Sequence, residues 1–177
     1  MNNITQKILV CFLLPNALLQ ADTLVKKESL KETVEQVAHV TISGPKEVET
    51  GEEFEFAVRL QMACDLSGML HFYYSPPSEF QYLSHISTET SQFATEYSPE
   101  YRTLYGVGCN LPAYHEIVVL IRLKALEQYF LRDRTEIIAP TKKGAKSYFS
   151  FIVHKDGEEI EWTKRKTVHV VTDPTYY

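Results

Sequence analysis

The chain has 177 residues, 44% hydrophobic and 12% aromatic, with 18 Lys and Arg against 23 Asp and Glu, a net charge of −5. That balance disfavours nucleic acid and anionic membrane as partners, since both demand clustered Lys and Arg. The two local exceptions, Lys142, Lys143 and Lys146 around Gly144, and Lys164 to Lys166, read as solvated turns or strand ends.

The N-terminus has one basic residue, Lys7, then the apolar block Ile8 to Leu14, then Pro15 to Ala21. This is the three-part layout of a secretory signal peptide, with cleavage expected after Ala21. The block is too short to cross a bilayer core of about 30 Å, and no other segment is apolar for long enough to do so. The expected mature chain of 156 residues fits one domain; losing Lys7 leaves 17 basic against 23 acidic residues, or −6.

Residues 22–36 are charged, with Leu30 and Val34 at helical spacing, and read as a helical or flexible leader. From Val37 the apolar period changes to two. Val40 and Ile42 suit a first strand, broken by Ser43, Gly44 and Pro45. A turn at Glu49 to Glu52 then feeds Phe54 to Met62, the clearest alternation in the chain. Met69 to Tyr74 is the next strand, stopped by Pro76 and Pro77, which cannot supply ladder donors. Phe80 to Ile86 is a shorter one. Ser87 to Pro99, rich in Ser, Thr and Glu, reads as an exposed connection, and Arg102 to Val107 as a short strand bounded by Gly106, Gly108, Asn110 and Pro112.

Ile117 to Leu126 holds the run Val118, Val119, Leu120 and Ile121, apolar on both faces, and belongs in the middle of a sheet. Leu126 to Leu131 reads as a single helical turn, and Ile137 and Ile138 as a short strand. Tyr148 to His154 and Ile160 to Trp162 flank Asp156-Gly157, the residue pair that a tight type I′ hairpin requires. Thr167 to Thr172 is the last strand, leaving 173–177 as a tail. The expectation is an all-β, antiparallel β-sandwich of about nine strands over residues 37–172, because strands recur without repeats or βαβ spacing.

The series Gly51, Phe54, Phe56, Val58, then Asp65, Leu66, Ser67, Gly68, then Phe72, Tyr74, Pro76, Phe80 and Ser84 resembles the opening of cohesin-type and related bacterial immunoglobulin-like domains. The resemblance covers about residues 37 to 172 and implies their sandwich fold and non-catalytic recognition of another protein.

Two cysteines remain after the expected cleavage, Cys64 and Cys109. In an oxidising compartment an even pair reads as one disulfide, here tying a strand end to a loop. Closing about 45 residues would contribute on the order of 4 kcal/mol. Two free thiols, or a redox-active pair in a periplasmic thiol–disulfide factor, are the alternatives; the absence of Cys-x-x-Cys speaks against the latter. A structural cell-envelope component is a further reading of the whole chain.

Enzyme chemistry finds no foothold. The histidines, His39, His71, His85, His115, His154 and His169, are scattered without zinc-ligand spacing. Gly106-Val107-Gly108 precedes no helix pattern, there is no Gly-x-Ser-x-Gly elbow, and the carboxylate pairs Glu52/Glu53 and Glu158/Glu159 sit in expected turns. Calcium would want a dense Asp and Asn loop, and the expected mature chain holds one Asn, Asn110. No catalytic residue, metal or cofactor is therefore expected. The excess is tyrosine, 11 in all. Tyr97, Tyr101 and Tyr105 recur every fourth residue around a Pro-containing loop, and such residues anchor protein interfaces, though they also cap sandwich edges. The chain reads as an exported binding module, secreted, periplasmic or at the cell surface, with another protein as partner.

Overall fold

In the computed structural model, residues 36–88, 91–126 and 141–172 are described. The expected signal peptide at 1–21, all but the last residue of the leader at 22–36, the turn of helix to Leu131, the strand at Ile137 and Ile138 and the tail at 173–177 lie outside the described residues. The chain divides into two units, 1–36 and 37–177, and the second carries the strands.

Ten strands follow: β1 (Ala38–Ser43), β2 (Glu47–Glu49), β3 (Glu53–Met62), β4 (Leu66–Tyr74), β5 (Phe80–Ser87), β6 (Phe93–Ser98), β7 (Thr103–Leu111), β8 (Glu116–Ala125), β9 (Thr141–Lys155) and β10 (Glu158–Thr172). They form a four-stranded sheet, β1-β3-β8-β5, and a six-stranded sheet, β2-β10-β9-β4-β7-β6. Every pairing is antiparallel except β2 on β10.

Alternation drives the layering. Phe54, Phe56, Val58, Leu60 and Met62 of β3 are buried while Glu53, Glu55, Arg59 and Gln61 face water. From the other sheet come Leu70, Phe72 and Tyr74 of β4 and Phe149, Phe151 and Val153 of β9. The rings meet edge-on: Phe56 lies 5.5 Å from Phe149 at 86°, while Tyr74 stacks on Phe149 at 4.5 Å. Such geometry follows the ring quadrupole and adds to area burial. Burial pushes the Tyr74 phenol well above its ordinary range, opposed by its hydrogen bond to Ser147 Oγ at 3.3 Å.

β8 does sit inside its sheet, between β3 and β5, though only one of its faces is fully buried. Asp156 (φ 53°) and Gly157 (φ 80°) make the expected hairpin turn. Three expectations need correction. Ser87 to Pro99 is not wholly a connection, since β6 lies within it: Phe93 is fully buried, while its polar neighbours face out. Gly106 and Gly108 do not bound β7 but lie inside it, because a Cβ on either would come within 2.5 Å and 2.8 Å of the Phe93 ring. Finally, Ile160 to Trp162 and Thr167 to Thr172 are one strand of 15 residues, and Lys164 to Lys166 lie along it opposite Phe149 to Ser147. No proline or glycine interrupts Glu158 to Thr172, so nothing stops the ladder. Glu158 and Glu159 accordingly belong to β10 rather than to a turn.

Candidate functional site

The two sheets present different outer faces. On the four-stranded sheet the outward residues of β3 and β8 include charged pairs laced diagonally, Arg122 to Glu53 at 2.8 Å and Arg59 to Glu116 at 3.4 Å, with the half-buried Ala57, Val118 and Leu120 between them. Exposed pairs of this kind contribute little stability and keep the face hydrated. Ile86 is its large exposed apolar residue.

The six-stranded sheet is built otherwise. Because Leu70, Phe72 and Tyr74 point inward, Met69, His71 and Tyr73 must point out; the same parity turns out Tyr105, Val107 and Cys109 of β7 and Tyr148, Ser150, Ile152 and His154 of β9. Register then aligns them in rows. One runs Glu159, His154, Met69, Cys109; the next Glu161, Ile152, His71, Val107, Ala94; the third Thr163, Ser150, Tyr73, Tyr105, Glu96. Met69 is 43% exposed, Val107 38% and Tyr148 50%, so apolar surface is available in several rows of the face.

Ring contacts hold this face in shape. His71 stacks on Tyr73 at 6.2 Å and 9°, Tyr105 meets Tyr73 edge-on at 5.5 Å, and His154 meets His71 edge-on at 5.3 Å. His154 Nδ1 lies 3.6 Å from a Glu159 carboxylate oxygen, and the hydroxyls of Ser150 and Thr163 are 3.2 Å apart. Rings locked against one another lose little freedom when a ligand covers them, which favours binding. Among the described residues no group of three or more His, Cys, Asp or Glu could hold a metal ion.

The three tyrosines singled out from sequence are not brought to one surface. Tyr105 lies on the outer face just described. Tyr101 is 67% exposed in the β6–β7 connection. Tyr97 points the opposite way from its neighbour Glu96 and stacks on Tyr82 of β5 at 3.6 Å and 8°, bridging the edges of the two sheets. Burial first, and then the neighbouring Tyr97, raise the Tyr82 phenol, which also hydrogen-bonds His85 Nδ1.

Both cysteines are free thiols here. Cys109 is exposed on β7, opposite Met69 of β4. Cys64 is half-buried before β4, its Sγ 3.6 Å from Lys155 Nζ on β9, the strand on the other side of β4 from β7. The bridge expected from the cysteine count is not made in this structure. Sequence reasoning also missed Met69, His71, Tyr73, Val107 and His154 as a group. The available signal was aromatic or apolar residues at positions where alternation calls for polar ones.

No protein-family model and no curated protein matches the chain. Among solved structures it is similar to the cohesin module of a family 33 glycoside hydrolase from Clostridium perfringens, at 13% identity over 78% of this chain and 99% of that one, TM-score 0.51. The fold is cohesin-like. Two further matches are a non-cellulosomal cohesin from the archaeon Archaeoglobus fulgidus (10% identity, 78% of this chain and 94% of that one, TM-score 0.47) and the major subunit of aggregative adherence fimbriae type I from Escherichia coli (8%, 77% and 95%, TM-score 0.41). The cohesin-like sandwich is thus the part of the resemblance that is established, and no helix among the described residues is long and apolar enough to cross a membrane.

Proposed function

We propose that this chain is an exported, non-catalytic binding module that holds a protein partner on the outer face of its six-stranded sheet. The observation that carries the reading is the contrast between the faces: Met69, Tyr73, Tyr105, Val107 and Tyr148 leave sulfur and aromatic surface open on one, while on the other the row Ile86, Leu120 and Ala57 is flanked by ion pairs and no tyrosine or methionine faces out from β3 or β8. Tyrosine and methionine are enriched where proteins meet, and a flat, ring-braced surface suits a protein better than a small molecule, which needs a concave site. The apolar block ahead of Ala21 supports export, and the cohesin modules it resembles in fold are consistent with a binding role.

The test is capture from the native envelope fraction with the immobilised chain. Tyr105→Ala and Val107→Asp should each lose the wild-type partner, by more than about 1 kcal/mol for an anchor residue. Ile86→Asp, on the opposite face, should retain it. Capture that survives both six-stranded-face variants, at unchanged thermal stability, would move the site elsewhere.

A further inference from the structure

β10 is an edge strand for most of its length. β2 covers it only at His169, Val170 and Val171, so from Glu158 to Val168 no described strand lies on the side away from β9. The N–H of His169 donates to the Lys46 carbonyl at 2.9 Å and the Val171 carbonyl accepts from Thr50 N–H at 3.0 Å, so odd-numbered residues turn their backbone groups outward. By the alternation of a strand, Glu159, Glu161, Thr163, Arg165 and Thr167 offer both donor and acceptor along the bare edge. Such an edge is a template for another strand unless it is blocked.

The side chains on it carry a second pattern. Acidic residues occupy one half, Glu158, Glu159 and Glu161; basic residues occupy the other, Lys164, Arg165 and Lys166. Charged side chains on an edge ordinarily discourage pairing. This edge is complementary to itself, but only when reversed. Laid antiparallel on a second copy with Trp162 opposite Trp162, the strand sets Glu159 against Arg165 and Glu158 against Lys166, each twice by symmetry, and opposes no like charges. Laid parallel in register, it sets every one of the six against its own kind, which destabilises the pair. The antiparallel register is also the one in which outward-pointing odd residues meet odd residues, so that Glu159 with Arg165 and Glu161 with Thr163 exchange ladder bonds.

We infer that the β10 edge is a homodimer interface: two copies join antiparallel through Glu158–Lys166, extending the six-stranded sheet across a two-fold axis at Trp162. The contact is isologous and uses up the free stretch of edge on both copies, so it closes rather than propagates. Residues directly opposite in a ladder share a face, so the two outer faces point the same way and offer a bivalent surface.

The experiment is sedimentation velocity on the full chain across about 1–100 µM, with circular dichroism to confirm folding of each variant. Wild type should pass from monomer to dimer over that range. Arg165→Glu replaces two attractive cross-strand pairs by two repulsive ones and should weaken dimerisation by ~10-fold or more; E159R/R165E restores opposite charges and should recover it. Thr163→Pro removes a donor from the bare edge without touching the β9 ladder and should abolish the dimer. A wild type that stays monomeric throughout, a Thr163→Pro variant that folds and still dimerises, or a charge swap that fails to rescue Arg165→Glu would each overturn the proposal. Should Thr163→Pro not fold, the charge series decides alone.

Discussion

Gly106→Ala is the most diagnostic single substitution in this fold. The strand places the Phe93 ring flat across β7, and a Cβ on Gly106 would lie 2.5 Å from Phe93 Cζ and 2.9 Å from its Cε1, with Phe72 Cβ at 3.2 Å behind. Ordinary contact begins near 3.4 Å, so the ring must retreat by about 1 Å. It has little room to do so, because Phe93 is fully buried. Overpacking of this kind costs about 1–3 kcal/mol. For a domain of about 140 residues that corresponds to a fall of roughly 3–9 °C in Tm. Differential scanning calorimetry measures it, and a double-mutant cycle assigns the cause: in a Phe93→Leu background, where the ring is gone, Gly106→Ala should cost at least 1 kcal/mol less, as expected for coupled neighbours. Gly144→Ala is the control, since its nearest neighbours stand at 3.4 Å and it should be neutral or slightly stabilising. An unshifted Gly106→Ala, or effects that simply add in the cycle, would refute the ring-over-glycine account.

Two further outcomes follow from the tyrosines. Tyr97→Ala removes the stack on Tyr82 and should destabilise by about 1–3 kcal/mol, whereas Tyr101→Ala, exposed in its connection, should stay within ~0.5 kcal/mol; thermal melts of the two variants separate these roles. Ser147→Ala leaves the buried Tyr74 hydroxyl without its partner and should cost about 1–3 kcal/mol in urea titration, more than Tyr74→Phe, which removes the stranded group itself. The native state also holds the Tyr74 proton that the unfolded chain releases above its ordinary pKa of 10.0. That contribution is constant through neutral pH and is lost as pH rises above 10, so Tyr74→Phe should flatten the alkaline fall in stability.

How far the sequence revealed this molecule depended on whether the determining interaction was local. The alternation of β3, the central position of β8 and the Asp156-Gly157 turn are written in neighbouring residues, and all three are present in the structure. β2 left no such trace: three residues form a strand only because β10, some 120 positions later, runs alongside them. β6 was hidden by its own outward polar residues, and Gly106 and Gly108 looked like punctuation because the ring that needs their missing side chains lies elsewhere in the sequence. The candidate face was obscure for the same reason. Tyr73 and Tyr105 lie 32 positions apart, and His71 and His154 83 apart; only the register of β4 with β7 and β9 makes them neighbours. Tyr97, Tyr101 and Tyr105 recur at a spacing of four, which would share a face along a single strand, but the β6–β7 turn falls between them and register sets Tyr97 opposite Leu104 and Tyr105 opposite Glu96, so the two face opposite ways.

The parallel contact between β2 and β10 has a mechanical consequence. Its backbone bonds join Lys46 to His169 and Thr50 to Val171, and the hydroxyls of Thr50 and Thr172 add a tie at 3.0 Å. When tension enters before Glu47 and leaves after Thr172, two strands running in the same direction are dragged past each other lengthwise. Their bonds then share the load together, whereas a hairpin pulled from its open end surrenders them one at a time. A contact loaded in this way resists stretching through its opening rate rather than its equilibrium stability, and the short β2 strand, which adds little to the core, becomes one latch in a load path that also passes through β1 on β3.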